Sequence, residues 1–273
     1  MKTRVISGLI MAPLLLIVVL GGYPLMAAAV LIGIVGLKEF YHGFHAMDVK
    51  PCYPIGVIAV IGLYLINILT GTAGIHEGNF KWHVLWFFGV ILTSMLYLFK
   101  IDERKLEDGM ATMTGILYVV FFSYHVVLID QSEYALLVWL VLITAFVTDI
   151  MAYFSGYFFG KNKLCPKISP KKTIEGSIGG TLGTMLVSGL FGHFVMPQLM
   201  VHCMIIGALG AVFSQFGDLT ASIFKRKMGI KDYGNLIPGH GGILDRFDSI
   251  IFTAPCIYFL IYFFLDIKYV FMY

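Results

Sequence analysis

Two stretches of this chain run without charge for longer than a soluble fold allows. Val5 to Leu37 and Gly176 to Gly217 contain no Asp, Glu, Lys or Arg. About 20 apolar residues in a helix cross the roughly 30 Å hydrocarbon core of a bilayer. Gly21-Gly22-Tyr23-Pro24 interrupts the first stretch and Pro197 the second, so each is read as two crossings. Only 13% of the 273 residues are charged and 59% are hydrophobic. A soluble domain carries about 25% charged residues. The fold class is therefore an all-α polytopic integral membrane protein.

Applied along the chain, the same criterion predicts nine transmembrane helices, at about 5–20, 24–40, 53–69, 83–99, 110–129, 134–159, 176–195, 199–220 and 249–265. Lys2 and Arg4 before the first run also suit a signal peptide, with Ala27-Ala28-Ala29 as its cleavage site. A retained first span is expected, because polytopic inner-membrane chains begin the same way. With the N-terminus in the cytoplasm and the C-terminus outside, seventeen of the nineteen Lys and Arg residues fall on the cytoplasmic side. Only Lys81 and Lys268 fall outside, the asymmetry that sets orientation in membrane proteins. The spans group as 1–75 (helices 1–3), 76–130 (helices 4 and 5, with dimer contacts) and 131–273. The last holds helices 6–9 and the cytoplasmic loops 161–175 and 222–248.

The polar residues concentrate where chemistry would. Ser222 to Asp248 is the one long polar interval. It opens on Lys225, Arg226, Lys227 and Lys231, passes through Pro238-Gly239-His240-Gly241-Gly242, and closes on Asp245, Arg246 and Asp248. Cations suit a polyphosphate, a glycine turn admits close backbone approach, and carboxylates suit a divalent metal. Together they point to a nucleotide. Asp218 ends the eighth span, and Asp149 lies in the cytoplasmic half of the sixth. An acid within a span is usually buried, paired or functional. Asp218 and Asp245 read as metal ligands, or else as partners of Arg226, Arg246 or a loop lysine. Asp248 reads as a further acid of the site or as a partner of Arg246. Asp149 reads as a metal ligand or as a polar packing contact.

Upstream, Lys171 and Lys172 precede Thr173, where a helix begins and its amides can hold phosphate. His240 suits a general acid or base, or a turn cap. The histidines within spans (His83, His125, His193, His202) read as packing residues. The four cysteines form no C-x-x-C pair, so neither a disulfide nor a zinc framework is expected. A net charge of +3 gives no reason to expect nucleic acid.

These residues resemble the signature of the CDP-diacylglycerol synthase (phosphatidate cytidylyltransferase) family. Ser222, Phe224, Lys225, Arg226, Lys231, Asp232, Gly234, Ile237, Pro238, His240, Gly241, Gly242, Ile243, Asp245, Arg246, Phe247 and Asp248 fill every specified place. Asp149 with Ala152-Tyr153, the segment Ser169 to Gly176, and Gly217-Asp218-Leu219 extend the likeness. One departure is Ala221, where many members carry glutamate.

The resemblance implies transfer of CMP from CTP to phosphatidate, giving CDP-diacylglycerol and pyrophosphate, with Mg2+ and a place for a second, monovalent cation. It implies Asp218 and Asp245 as metal ligands and Asp248 beside them. Lys171, Lys172, Lys225, Arg226 and Lys231 would neutralise phosphate, and Gly241 and Gly242 would present amides to an oxyanion. Thr173, Ser222 and Arg246 join the substrate-binding set. It also implies a homodimer among membrane lipids of the inner membrane, with the site facing the cytoplasm. Two alternatives stand beside it. A CTP-dependent lipid or polyprenol kinase would transfer the γ-phosphate. A transporter would carry its acids near mid-bilayer between paired broken helices, rather than at one face.

Overall fold

The computed structural model describes residues 15–70, 80–236 and 241–265. Eight helices among these residues are long and apolar enough to cross a membrane. The first predicted span, 5–20, lies outside the described residues except for 15–20, which are helical. Gly21 and Gly22 then take positive φ of 59° and 54°, a region glycine enters without a Cβ penalty. The Gly22 amide donates to Asp130 Oδ2 at 2.7 Å, which fixes the bend.

In chain order the helices are α1 (Gly22–Phe44), α2 (Tyr53–Thr70), α3 (Phe80–Leu96), α4 (Leu106–Gly115), α5 (Phe122–Asp130), α6 (Val138–Phe159), α7 (Ile174–Val195), α8 (Met200–Lys227) and α9 (Leu244–Leu265). A π-helical segment, Ile116–Phe121, joins α4 and α5 into one crossing from Leu106 to Asp130.

Several helices run past their hydropathy limits. α1 continues to Phe44, past the predicted end at 40. α8 continues to Lys227 and α9 begins at Leu244, so the polar interval is helical at both ends. Hydropathy marks where lipid stops, whereas capping and glycine mark where a helix stops. At 1.5 Å per residue, the 28 residues of α8 extend about 42 Å, more than the hydrocarbon needs. Segment 161–175 is also not a plain loop. β1 (Lys163–Cys165) pairs antiparallel with β2 (Ser169–Thr173), with Lys163 opposite Thr173 and Cys165 opposite Ser169.

The chain divides into two compact units. The first comprises 1–135, 227–247 and 268–273, the second 136–226 and 248–267, so the division falls within α9. In the first unit a polar knot holds α2 to the end of α5. Asn67 Nδ2 donates to Tyr124 OH at 2.7 Å and to Gln131 Oε1 at 2.9 Å, and Gln131 Nε2 donates back to Asn67 Oδ1 at 2.9 Å. All three residues are buried, so each polar group needs a protein partner. His125 is buried too, its Nδ1 2.9 Å from the Phe121 carbonyl, in keeping with a packing role.

In the second unit α6 and α7 approach closely over glycine. A Cβ on Gly179 would stand 2.0 Å from Ser155 Oγ, and one on Gly183 2.7 Å from Met151 Cε. Small residues let helix backbones come together in lipid, and the hydroxyls of Thr148 and Thr184 bond across the same interface at 2.9 Å.

Candidate active site

The basic segment of the second unit is a built structure rather than a tether. Glu175, in the first turn of α7, accepts from the Lys161 amide at 3.1 Å and from Asn162 Nδ2 at 2.8 Å. Thr173 caps α7, its Oγ1 accepting from the Gly176 amide at 3.1 Å, as an N-cap hydroxyl does. The hairpin is thereby locked to the helix start, and its lysines are held in place. Asp149, Tyr153, Lys171, Lys172, Thr173 and Gln215 are among the residues lining a cavity of about 410 Å³. Four residues singled out from sequence thus meet around one cavity. Asp149 is exposed on α6, and Lys171 is exposed beside the half-buried Lys172.

Two lysine–aspartate pairs follow in the same unit. The Lys172 ammonium pairs with the Asp218 carboxylate, both side chains about one quarter exposed. Asp218 therefore has the loop-lysine partner that sequence offered as the alternative to metal binding. Lys225, near the end of α8, pairs with Asp248 at 3.8 Å, both side chains largely buried. Lys225 is thus a cation beside Asp248, a partner that the sequence reading did not name. Asp248 Oδ1 also accepts from the Ser249 amide at 2.7 Å. Ser222 is half-buried on α8, Arg226 is exposed in its last turn, and Ala221 is fully buried.

The first unit has a polar cluster of its own, built on backbone amides. Asp245 is buried, and its Oδ2 accepts from the Tyr233 amide at 2.8 Å and the Gly242 amide at 3.0 Å. The oxyanion that the Gly242 amide meets is therefore a carboxylate of the protein itself. Gly241 has φ +83°, and a Cβ there would lie 2.8 Å from Asp245 Oδ2, so glycine is required twice over. Lys231 and Asp232 are exposed. Arg246 is half-buried, and its Nε is buried without a hydrogen-bond partner among the described residues. His240 lies outside the described residues, as do Ile237, Pro238 and Gly239.

Sequence reasoning missed Glu39. Its Oε1 accepts from the Ile243 amide at 3.0 Å and its Oε2 from the Leu244 amide at 2.8 Å. It also lines a second cavity, of about 670 Å³, with Lys38, His42, His45, Tyr233 and Asn235. One signal was available: Glu39 is the only carboxylate among residues 1–47.

No group of three or more His, Cys, Asp or Glu that could hold a metal ion occurs among the described residues. The donor chemistry still fits Mg2+, which is commonly held by one or two carboxylates, with water and substrate phosphate completing its octahedron. Asp218 in the second unit and Asp245 in the first are each a carboxylate of that chemistry. The orphaned Nε of Arg246 and the lysine ammoniums suit the phosphates that would arrive with the metal.

Compared with known proteins, residues 2–264 match the model of the cytidylyltransferase family. The chain belongs to that family. It is accordingly a nucleotidyltransferase of phospholipid biosynthesis, with several membrane-crossing helices. It is 32% identical over 268 residues to a phosphatidate cytidylyltransferase of Bacillus subtilis, covering 96% of this chain and 97% of that protein. The phosphatidate cytidylyltransferase of Staphylococcus haemolyticus is 34% identical, over 93% of this chain and 94% of the relative. That of Staphylococcus saprophyticus is 35% identical, over 93% and 96%.

Proposed function

We propose that this protein is a phosphatidate cytidylyltransferase, joining CTP and phosphatidate into CDP-diacylglycerol and pyrophosphate. The observation that carries the reading is the complete signature from Ser222 to Asp248, in a chain that aligns nearly end to end with relatives of that name. A phosphate oxygen of phosphatidate attacks the α-phosphorus of CTP in line. A new P–O bond forms, and the bond to the β-phosphate oxygen breaks, releasing pyrophosphate. The attacking oxygen is already anionic, so the step depends on positioning and charge neutralisation rather than on a general base. His240 is then free to act in turn structure or proton management.

The roles follow from residue chemistry. Asp218 and Asp245 would hold a divalent metal, Mg2+, with Asp149 a further candidate ligand, and the same reading leaves a place for a second, monovalent cation. When bound, that metal would neutralise phosphate charge and polarise the α-phosphoryl group. Lys171, Lys172, Lys225, Arg226, Lys231 and Arg246 contact phosphates of CTP and lipid. Asp248 keeps Lys225 oriented, which its ion pair supports. Thr173 and Ser222 offer hydroxyls, and Gly241 and Gly242 keep the turn narrow.

Orientation belongs to the same proposal: nine spans, the N-terminus inside, and the basic segments facing the cytoplasm of a bacterial inner membrane. The charge asymmetry supports it. We also propose a homodimer. CTP would reach such a site from water and phosphatidate from the leaflet. The test is purified protein in detergent with phosphatidate, Mg2+ and CTP labelled at either the α- or the γ-phosphorus. Label entering lipid from the α position alone is expected. Label from the γ position alone would make the protein a lipid kinase.

A further inference from the structure

Helix α9 lacks a local N-cap. Its first amides have no acceptor within the helix, and a Ser, Thr, Asp or Asn just before the first turn usually supplies one. Here that place is held by Ile243, whose side chain accepts nothing. The acceptor comes instead from α1. Glu39 takes the Ile243 and Leu244 amides on its two oxygens, across 204 and 205 residues of chain. A carboxylate is well placed there, because its charge also faces the positive end of the helix dipole.

The glycines around it are fitted to that carboxylate. A Cβ on Gly242 would lie 2.4 Å from Glu39 Oε2, and one on Gly234 would lie 2.6 Å from Oε1. Both distances are shorter than real Cβ contacts allow. Two small positions of the signature are therefore the space through which Glu39 reaches the helix. One residue after the capped amides stands Asp245, which receives the Gly242 and Tyr233 amides. Glu39 and Asp245 between them hold four consecutive features: the turn at Gly242, the amides of Ile243 and Leu244, and the carboxylate of Asp245 itself.

We propose that Glu39 is a positioning residue for the transfer reaction, setting the place of Asp245 by capping α9 from the N-terminal part of the chain. This rests on the reading of Asp245 as a metal-holding carboxylate of a cytidylyltransferase. Groups that orient a metal ligand typically change metal affinity or activity by about 10–100-fold when removed.

The experiment compares wild type, Glu39→Ala and Glu39→Gln in detergent by two readouts. One is CMP transfer from α-labelled CTP as a function of Mg2+ concentration. The other is amide hydrogen exchange of peptides covering 241–246. Expected for Glu39→Ala is a rise of about 10-fold or more in the Mg2+ needed for half-maximal rate, with faster exchange confined to Ile243 and Leu244 and their immediate neighbours. Glu39→Gln keeps one acceptor oxygen and should fall between the two. The proposal is overturned if Glu39→Ala keeps the wild-type Mg2+ dependence. It is equally overturned if both variants lose rate with faster exchange across the whole chain, since that reports general loosening. Should wild type itself transfer no α-label, the cytidylyltransferase reading fails. Exchange at Ile243 and Leu244 would still report the cap.

Discussion

The hairpin segment at 161–175 and the glycine turn before α9 both surround acids with positive partners, but by different means. Around the hairpin the partners are side chains. Lysine ammoniums sit on two short strands, clamped to α7 by Thr173 and Glu175. At the turn the partners are backbone amides of Tyr233, Gly242, Ile243 and Leu244, gathered by Asp245 and Glu39. Side-chain charge is adjustable, because a lysine can leave one anion for another. Backbone amides are fixed once the turn is fixed. The first region is suited to receiving a charged substrate, and the second to holding one carboxylate still.

Substitutions can break this contrast. The largest effect is expected at the turn. Gly242→Ala puts a methyl where Glu39 already stands, and Asp245→Asn removes the acceptor charge of the Tyr233 and Gly242 amides. Each should lower kcat by about 100-fold or more, measured as CMP transfer.

At the hairpin the loss should fall on binding instead. Lys172→Gln frees Asp218 of its ion pair and removes a proposed phosphate partner. It should raise the KM for CTP by about 10-fold, with kcat changed less. Equal losses of kcat in both regions would remove the distinction between them.

A third substitution separates site effects from packing. Gly179→Ala drives a methyl into Ser155 on α6 and should cost about 1–3 kcal/mol of stability, read as a lower Tm in detergent. Transfer activity at low temperature should persist.

The smallest effect is expected at the exposed pair between Lys105 and Asp48, 2.5 Å apart. Lys105 holds the Asp48 carboxyl below its ordinary value, chiefly through their hydrogen bond, and Asp48 in turn raises Lys105. The Asp48 contribution is therefore present above the ordinary carboxylate range and is lost as pH falls through its lowered value. That of Lys105 is full below the ordinary lysine range and is lost as pH rises through its raised value. Both side chains are exposed, so Asp48→Asn should shift Tm only slightly. That shift should be flat from about pH 6 to about pH 9 and shrink in acid.

Much of this was legible in the sequence, and the misses share a cause. Each of the eight spans seen among the described residues coincides with a predicted one, because burial in lipid demands continuous apolar runs. The convergence of Asp149, Lys171, Lys172 and Thr173 on one cavity was foreshadowed by placing them on one side of the membrane. Helix ends were not legible. Ser222 to Lys227 and Leu244 to Asp248 are polar by composition yet helical, since a helix continues until a glycine or a cap stops it. The hairpin was hidden by its lysines and by Pro170, which a two-stranded ribbon tolerates because both strands are edges. Glu39 was hidden by distance. Nothing near it in sequence suggests a helix that begins more than two hundred residues later.

That distance has a consequence for biogenesis. At roughly 5–20 residues per second, the 204 residues between Glu39 and Ile243 take a ribosome about 10–40 s to add. Throughout that interval α1 carries a carboxylate whose eventual amide partners have not been synthesised. Glu39 on α1 must wait, with an unmet acceptor, for the first turn of α9. The arrangement makes closure of the turn wait on synthesis of α9, and it makes the turn a late rather than an early event of assembly.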